Sequence, residues 1–261
     1  MSSPVASARA LPDHAVGEAA RVLRRPLRRR TVLFATLLGA AIALLFALEL
    51  TVGAVYVPLP DALRALTGGT PATPVFTAIV QQFRLPRAVN AVASGAALGA
   101  SGLLLQTLFR NPLADPYVLG VVFGARLGVA LLVVATGVAG NALLYRFGLV
   151  GDMATAVASA LGSTLVLLAL LALARRVSTV TLLVAGLMLG YLSTGLVSVA
   201  LHFVEETQAQ SFQGWDDGSF AGATRQQLQL LLPAVMAGLL FAWTQAKPLN
   251  ALLLGEAYAE S

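Results

Sequence analysis

The sequence predicts an all-α polytopic membrane protein, a transmembrane helical bundle of about six spans, and three observations carry that prediction. Hydrophobic residues fill 57% of the 261 positions and charged residues only 11%, with a mean hydropathy of +0.81. That balance leaves too little polar surface for an ordinary soluble domain. Apolar runs of about 20 residues recur, the length that crosses ~30 Å of hydrocarbon at 1.5 Å per residue. Short polar, proline-bearing stretches separate the runs, and the sharpest is RNPLADP at 110–116.

Composition also closes off other classes. There is no cysteine, so no disulfide framework, thiolate metal site or cysteine nucleophile exists. His14 and His202 stand too far apart in sequence to suggest a metal cluster, and no resident metal or cofactor is expected. The net charge of +5 could suggest nucleic acid, but seven of the seventeen basic residues crowd into the first 30 positions. A basic arm beside a membrane anchor has anionic lipid headgroups as its natural neighbours, so membrane lipid is the expected partner and nucleic acid is not.

In chain order, residues 1–30 read as a basic, mobile cytoplasmic arm ending in RVLRRPLRRR, and 31–261 as the membrane domain. Thr31–Val57 is read as an uncleaved first span, with Glu49 near enough to its outer end to reach the interface. Pro60–Leu66 follows as a short surface helix closed by Gly68-Gly69. Arg84 and Arg87 open the second span, Ala88–Phe109. Asn111 precedes Pro112, which disfavours the α region and ends that helix, and Asp115-Pro116 offers an N-cap and a pre-set first position for the next. Further spans are read at Tyr117–Ala139, Met153–Ala174, Val180–Val204 and Gln226–Gln245. Eleven Lys and Arg then fall on the N-terminal side and five on the other, which places both termini in the cytoplasm.

Small residues recur at helical spacing: Gly95 and Gly99 with Ser94 and Ser101, then Gly120, Gly124 and Gly128, then Gly186 and Gly190. Such stripes let helix backbones approach closely where lipid gives no hydrophobic drive for association, and packing alone accounts for them. Arg126 is the unusual residue, about ten residues into the third span and so ~15 Å deep. A guanidinium there costs at least ~2.5 kcal/mol unless something compensates. Two readings stay open: it lines a path for an anionic substrate, or it pairs with an acid on a neighbouring helix. Between the fifth and sixth spans Glu205, Glu206, Asp216 and Asp217 tempt a metal reading, but no EF-hand spacing supports it and an acidic outer loop is expected.

RLPR at 84–87, then SGAALGASGLLLQ, then FRNPLADPYVLGV, and later TLLVAGLMLG, GSFAGAT and KPLNALLLGEAYAES, occur in an order that resembles the FecCD-type permeases of ABC importers. That family moves iron-siderophores, haem and cobalamin inward across bacterial and archaeal cytoplasmic membranes, and the first 30 residues carry none of the likeness. The resemblance implies a permease subunit working with a second permease subunit, identical or homologous, two ATPase subunits and an extracytoplasmic substrate-binding protein. It implies that Arg84 and Arg87 dock the binding protein through glutamates on its lobes, as bidentate guanidinium pairing would suit. By the same resemblance Asn111 and Leu113 help form the inner constriction, and Thr179 and Val180 mark a second gate segment, where the family favours hydroxyls and Val180 departs. Leu249, Asn250, Leu254, Gly255 and Glu256 match the segment that couples to the ATPase.

Arg126 departs from the small residues usual in its stretch, and Asp216 and Asp217 from the apolar residues usual inside W-x-x-G-S. ATP is expected only on the partner subunit, since no G-x-x-x-x-G-K-[ST] loop is present. No nucleophile elbow or H-E-x-x-H helix is present either, and the chain is not expected to be an enzyme. Iron-siderophore is the first cargo expected, with haem and cobalamin behind it. Similar permeases continue with further spans, so the chain reads as truncated or as part of a split subunit. Two rivals remain: a membrane enzyme using the four acids of the outer loop, and a truncated scaffold that transports nothing.

Overall fold

The computed structural model describes residues 13–117, 119–136 and 149–254, excluding the side chains at 13–28, 136, 149–150, 179 and 252–254. Every regular element among the described residues is helical, and the chain divides into two units, Met1–Pro71 and Ala72–Ser261.

The first unit holds α1 (Asp13–Thr51) and α2 (Leu59–Thr67). α1 begins inside the basic arm, not at Thr31, and its stretch Arg29–Thr51 is long and apolar enough to cross a bilayer. Phe34 and Leu45 on that stretch are 70% and 64% exposed, a surface suited to lipid and costly in water. Thr51 closes the helix by donating its hydroxyl to the carbonyls of Ala47 and Leu48, 3.2 and 3.1 Å away. α2 is the expected short helix, with proline in its first turn and Gly68 at φ +79 as its left-handed cap.

The second unit starts with one helical stretch of 36 residues built from α3 (Pro74–Ala78), a π-helical turn (Ile79–Arg84) and α4 (Leu85–Phe109). Sequence reading begins this span at Ala88; the helix begins well before it. Pro86 has no N–H to donate and would crowd the preceding turn, and the wider π turn just ahead of it lets the helix continue. α4 ends where expected. Arg110 takes the left-handed conformation at φ +47, and the Asn111 N–H reaches back to the Gln106 carbonyl at 3.1 Å, a Schellman closure on a non-glycine residue. Asn111 Oδ1 then accepts from the Leu113 N–H at 3.0 Å and sets the turn.

The next helix does not start at Pro116. Gly120, at φ +74, closes an intervening turn and α5 runs Val121–Thr136, 16 residues or ~24 Å. Five described stretches are long and apolar enough to cross a membrane, and α5, followed here to Thr136, is a shorter apolar helix beside them. The others are α6 (Leu149–Ala174), α7 (Thr179–His202) and α9 (Arg225–Thr244), followed by α10 (Ala246–Leu254). The segment between α7 and α9 is not the expected loop: it contains α8 (Glu206–Asp216) and a 3-10 turn, Phe220–Gly222.

α5 lies between α6 and α7 at backbone contact. A Cβ on Gly120 would stand 2.6 Å from the Gly186 carbonyl oxygen, and one on Gly190 would stand 2.7 Å from the Phe123 ring. Gly124 and Gly128 meet Gly162 and Ala158 of antiparallel α6 in the same way. The stripes of the third and fifth spans thus close the helix pack as expected. Gly95 and Gly99 do not take part, having nothing within 4 Å of their added Cβ. Several hydroxyls within the spans are satisfied inside their own helices, as when Ser193 donates to Leu189 and Thr155 to Gly151, 2.8 and 2.9 Å away.

Candidate functional site

The second unit has two ends, and the residues singled out by sequence separate onto them. At one end Leu105 and Phe109 of α4, Leu170 and Leu173 of α6, Leu182 of α7 and Leu119 share one hydrophobic cluster. The turn carrying Asn111 and Leu113 and the start of α7 carrying Thr179 and Val180 emerge from that same cluster. Leu113 and Val180 are 77% and 72% exposed there and Asn111 is half-buried. Thr179 is the first residue of α7. α10 packs against α4 and α9, with Leu249 half-buried and Asn250 exposed. Leu254 is the last residue of α10, and Gly255 and Glu256 lie outside the described residues.

The opposite end holds the start of α4, the start of α6, the finish of α7 and the start of α9. Gln227 ties this end together. Its amide nitrogen donates to Asp152 of α6 at 3.1 Å, its oxygen accepts from the Thr224 N–H at 3.2 Å, and its own N–H donates to the Thr224 hydroxyl at 3.2 Å. One side chain thus completes a capping box and bridges two helices. α4 spans ~38 Å, so Arg84 and Arg87 at its start are a bilayer's thickness from the Asn111 turn at its finish. Arg84 is 5% exposed and Arg87 half-buried, and both are engaged within the chain.

Sequence reading did not find α8. It carries Phe212, 2% exposed, into a cluster with Val129, Ala130 and Val133 of α5 and Val197 of α7. Gln208 and Ser211 are buried beside it. The signal was available in hindsight: Gln208, Ser211, Phe212 and Trp215 recur at i, i+3, i+4, i+7, a helical face that four flanking acids disguise as a solvated loop. α8 runs back along α5, so Asp216 at its last residue comes level with Arg126, about two turns deeper than the start of α9. The Arg126 Nη2–H donates to Asp216 Oδ2 at 2.7 Å, and Nε stands 2.7 Å from Oδ1. The second contact is an ion contact without hydrogen-bond alignment, so the buried Nε–H has no acceptor. The Phe123 ring supports the guanidinium at 5.9 Å.

Of the two readings of Arg126, the structure supplies the partner acid, on the segment taken for a loop. The four acids themselves do not converge: Glu205 and Glu206 start α8 while Asp216 and Asp217 finish it, ~15 Å away. Among the described residues no three metal-ligating side chains group together.

A helical bundle with long apolar helices, inter-helix contacts closed by glycine and polar residues near its two ends is the architecture of a multi-pass membrane protein. Residues 41–261 match the FecCD transport family, and the chain belongs to that family. It is 34% identical over 235 residues to the vitamin B12 import system permease protein of Shigella boydii, covering 90% of this chain and 66% of that one. The corresponding protein of Klebsiella pneumoniae is 37% identical over 181 residues, 69% of this chain and 51% of that one. A solved structure described as an inward-facing conformation of a metal-chelate type ABC transporter superposes with a TM-score of 0.67 at 25% identity, covering 88% of this chain and 67% of that one. The chain thus spans between about half and two thirds of the length of these relatives.

Proposed function

We propose that this chain is a permease subunit of an ATP-binding-cassette importer and carries a large chelate across the cytoplasmic membrane. The single observation behind this reading is the two-ended layout within a member of the FecCD transport family. Arg84 and Arg87 stand at one end, and the Asn111–Leu113 turn, Thr179–Val180 and Leu249–Asn250 at the other. In this proposal a binding protein docks on the arginine end outside the cell. Arg87, the more accessible of the two, makes the first ionic contact, and Arg84 adds field from its buried position. The opposite end faces the cytoplasm, as do both termini. The α4–α5 turn and the start of α7 narrow the path there, and the segment beginning at Leu249 meets one of two ATPase subunits. ATP is bound and hydrolysed on those subunits; a second permease copy or homologue completes the path. This chain supplies passage, without covalent chemistry.

The names of the relatives support testing a cobalamin cargo beside the iron-siderophore and haem implied by the family. The test expresses the chain with an ATPase and a binding protein of an importer of this family and measures uptake of labelled cobalamin against competition by haem and a ferric siderophore. Saturable ATP-dependent uptake, lost in the Arg84→Glu, Arg87→Glu double variant with membrane insertion retained, supports the proposal. Absence of both uptake and ATPase co-purification overturns it.

A further inference from the structure

We propose that Arg126 and Asp216 form a positioning pair that pins the deep end of α8 to α5 and so fixes the turn by which the chain reverses into α9. Three observations converge. Asp216 is the last residue of α8, where a carboxylate opposes the partial negative charge of the helix end; alone it is misplaced there. The Arg126 guanidinium, 2.7 Å from both carboxylate oxygens, offsets that misplacement and brings positive charge to the same helix end. One turn earlier Phe212 inserts between α5 and α7, so α8 is held by an apolar anchor above and an ionic one below. Past the pair the chain is next held where the 3-10 turn Phe220–Gly222 packs against α4. Asp217, Gly218 at φ +67, Ser219 and Phe220 are exposed before Ala223 is buried again.

The charges also explain each other. A guanidinium on α5 at span depth needs a counter-charge, and an acid 90 positions away in sequence reaches it only if α8 turns back into the bundle. The pair therefore selects the re-entrant arrangement of 206–223 over a surface loop. Removing one partner leaves a stranded charge, whereas removing both does not, and this asymmetry makes the idea testable.

The experiment measures amide hydrogen exchange of residues 206–219 in the full chain in lipid nanodiscs. Arg126→Met and Asp216→Asn should each speed exchange there about tenfold, a modest figure because the pair is partly exposed, while α6 and α9 keep wild-type rates. The apolar pair Arg126→Met with Asp216→Leu should return exchange toward wild type, and Arg126→Lys should fall between. Should a single variant fail to insert, Arg126→Lys and the apolar pair carry the comparison. Unchanged exchange in the single variants, or an apolar pair no better protected than either, overturns the proposal. The consequence for cargo passage rests on the import reading: with its partners present, the single variants should lower maximal uptake and leave binding-protein affinity unchanged. Exchange shifts without any wild-type uptake would leave the pin standing and remove the import reading, whereas wild-type uptake with no exchange shift does the reverse.

Discussion

Gly162 offers a sharp test of how this bundle is held. A Cβ there would collide with the Gly124 carbonyl oxygen and stand 2.9 Å from its carbon and 3.0 Å from the Gly128 nitrogen, all backbone atoms of α5. Backbone cannot rotate aside as a side-chain tip can, so Gly162→Ala forces α5 and α6 apart by ~0.5–1 Å. A gap of that size forfeits a quarter to a half of each contact well, a loss equivalent to about ten to twenty whole pairs, and at ~0.1–0.2 kcal/mol each that amounts to about 1–4 kcal/mol. Alanine recovers ~0.5–1 kcal/mol of helix propensity, leaving a net loss of roughly 2 kcal/mol at the middle of that range. Gly99→Ala is the matched control, since nothing lies within 4 Å of its added Cβ; it should be neutral or stabilising by up to ~1 kcal/mol. Thermal unfolding of both variants in the same detergent reads the difference. Equal melting temperatures, or Gly99→Ala the less stable, would refute the claim that α5 and α6 meet backbone to backbone.

Three further outcomes follow from particular residues. Gly120→Ala should destabilise far more than Gly218→Ala in the same unfolding assay: both glycines have positive φ, a strain of ~1–2 kcal/mol for alanine, but only Gly120 also meets the Gly186 carbonyl, at 2.6 Å. Gln227→Ala removes its side-chain half of the capping box and the Asp152 bridge together and should cost about 1–2 kcal/mol, whereas Asp152→Ala should cost less because both halves of the cap survive. Phe212→Ala should cost about 3 kcal/mol and expose 205–219 to limited proteolysis, while an exposed neighbour such as Gln213→Ala should leave the cleavage pattern unchanged.

Much of the candidate site was legible because it sits on covalently adjacent residues. The Asn111-Pro112 stop, the Gly68 cap and the small surface helix before it depend on φ preferences and hydrogen bonds within a few positions. The motifs at 84–87 and 110–117 located two ends of a permease-like bundle for the same reason. Legibility failed where a local signal was ambiguous. Pro116 looks like a helix start, but Gly120 inserts a left-handed residue and the helix waits for Val121. The acids around α8 look like solvated loop, because hydropathy averages over a window and hides one buried face.

By itself, then, the sequence determined that this chain is built for a bilayer, where most of its apolar spans fall and which polar residues lie near their ends. Length, hydropathy and turn chemistry are properties of short segments. Only the tertiary structure decided which glycines touch backbone and which touch nothing, since Gly95-Gly99 and Gly186-Gly190 have the same spacing but different neighbours. It also decided that the charge of Arg126 is matched by Asp216 on a helix that turns back into the bundle. Those outcomes depend on groups brought together from 30 to 90 residues apart, and no local pattern encodes which partner a stripe or a charge will meet.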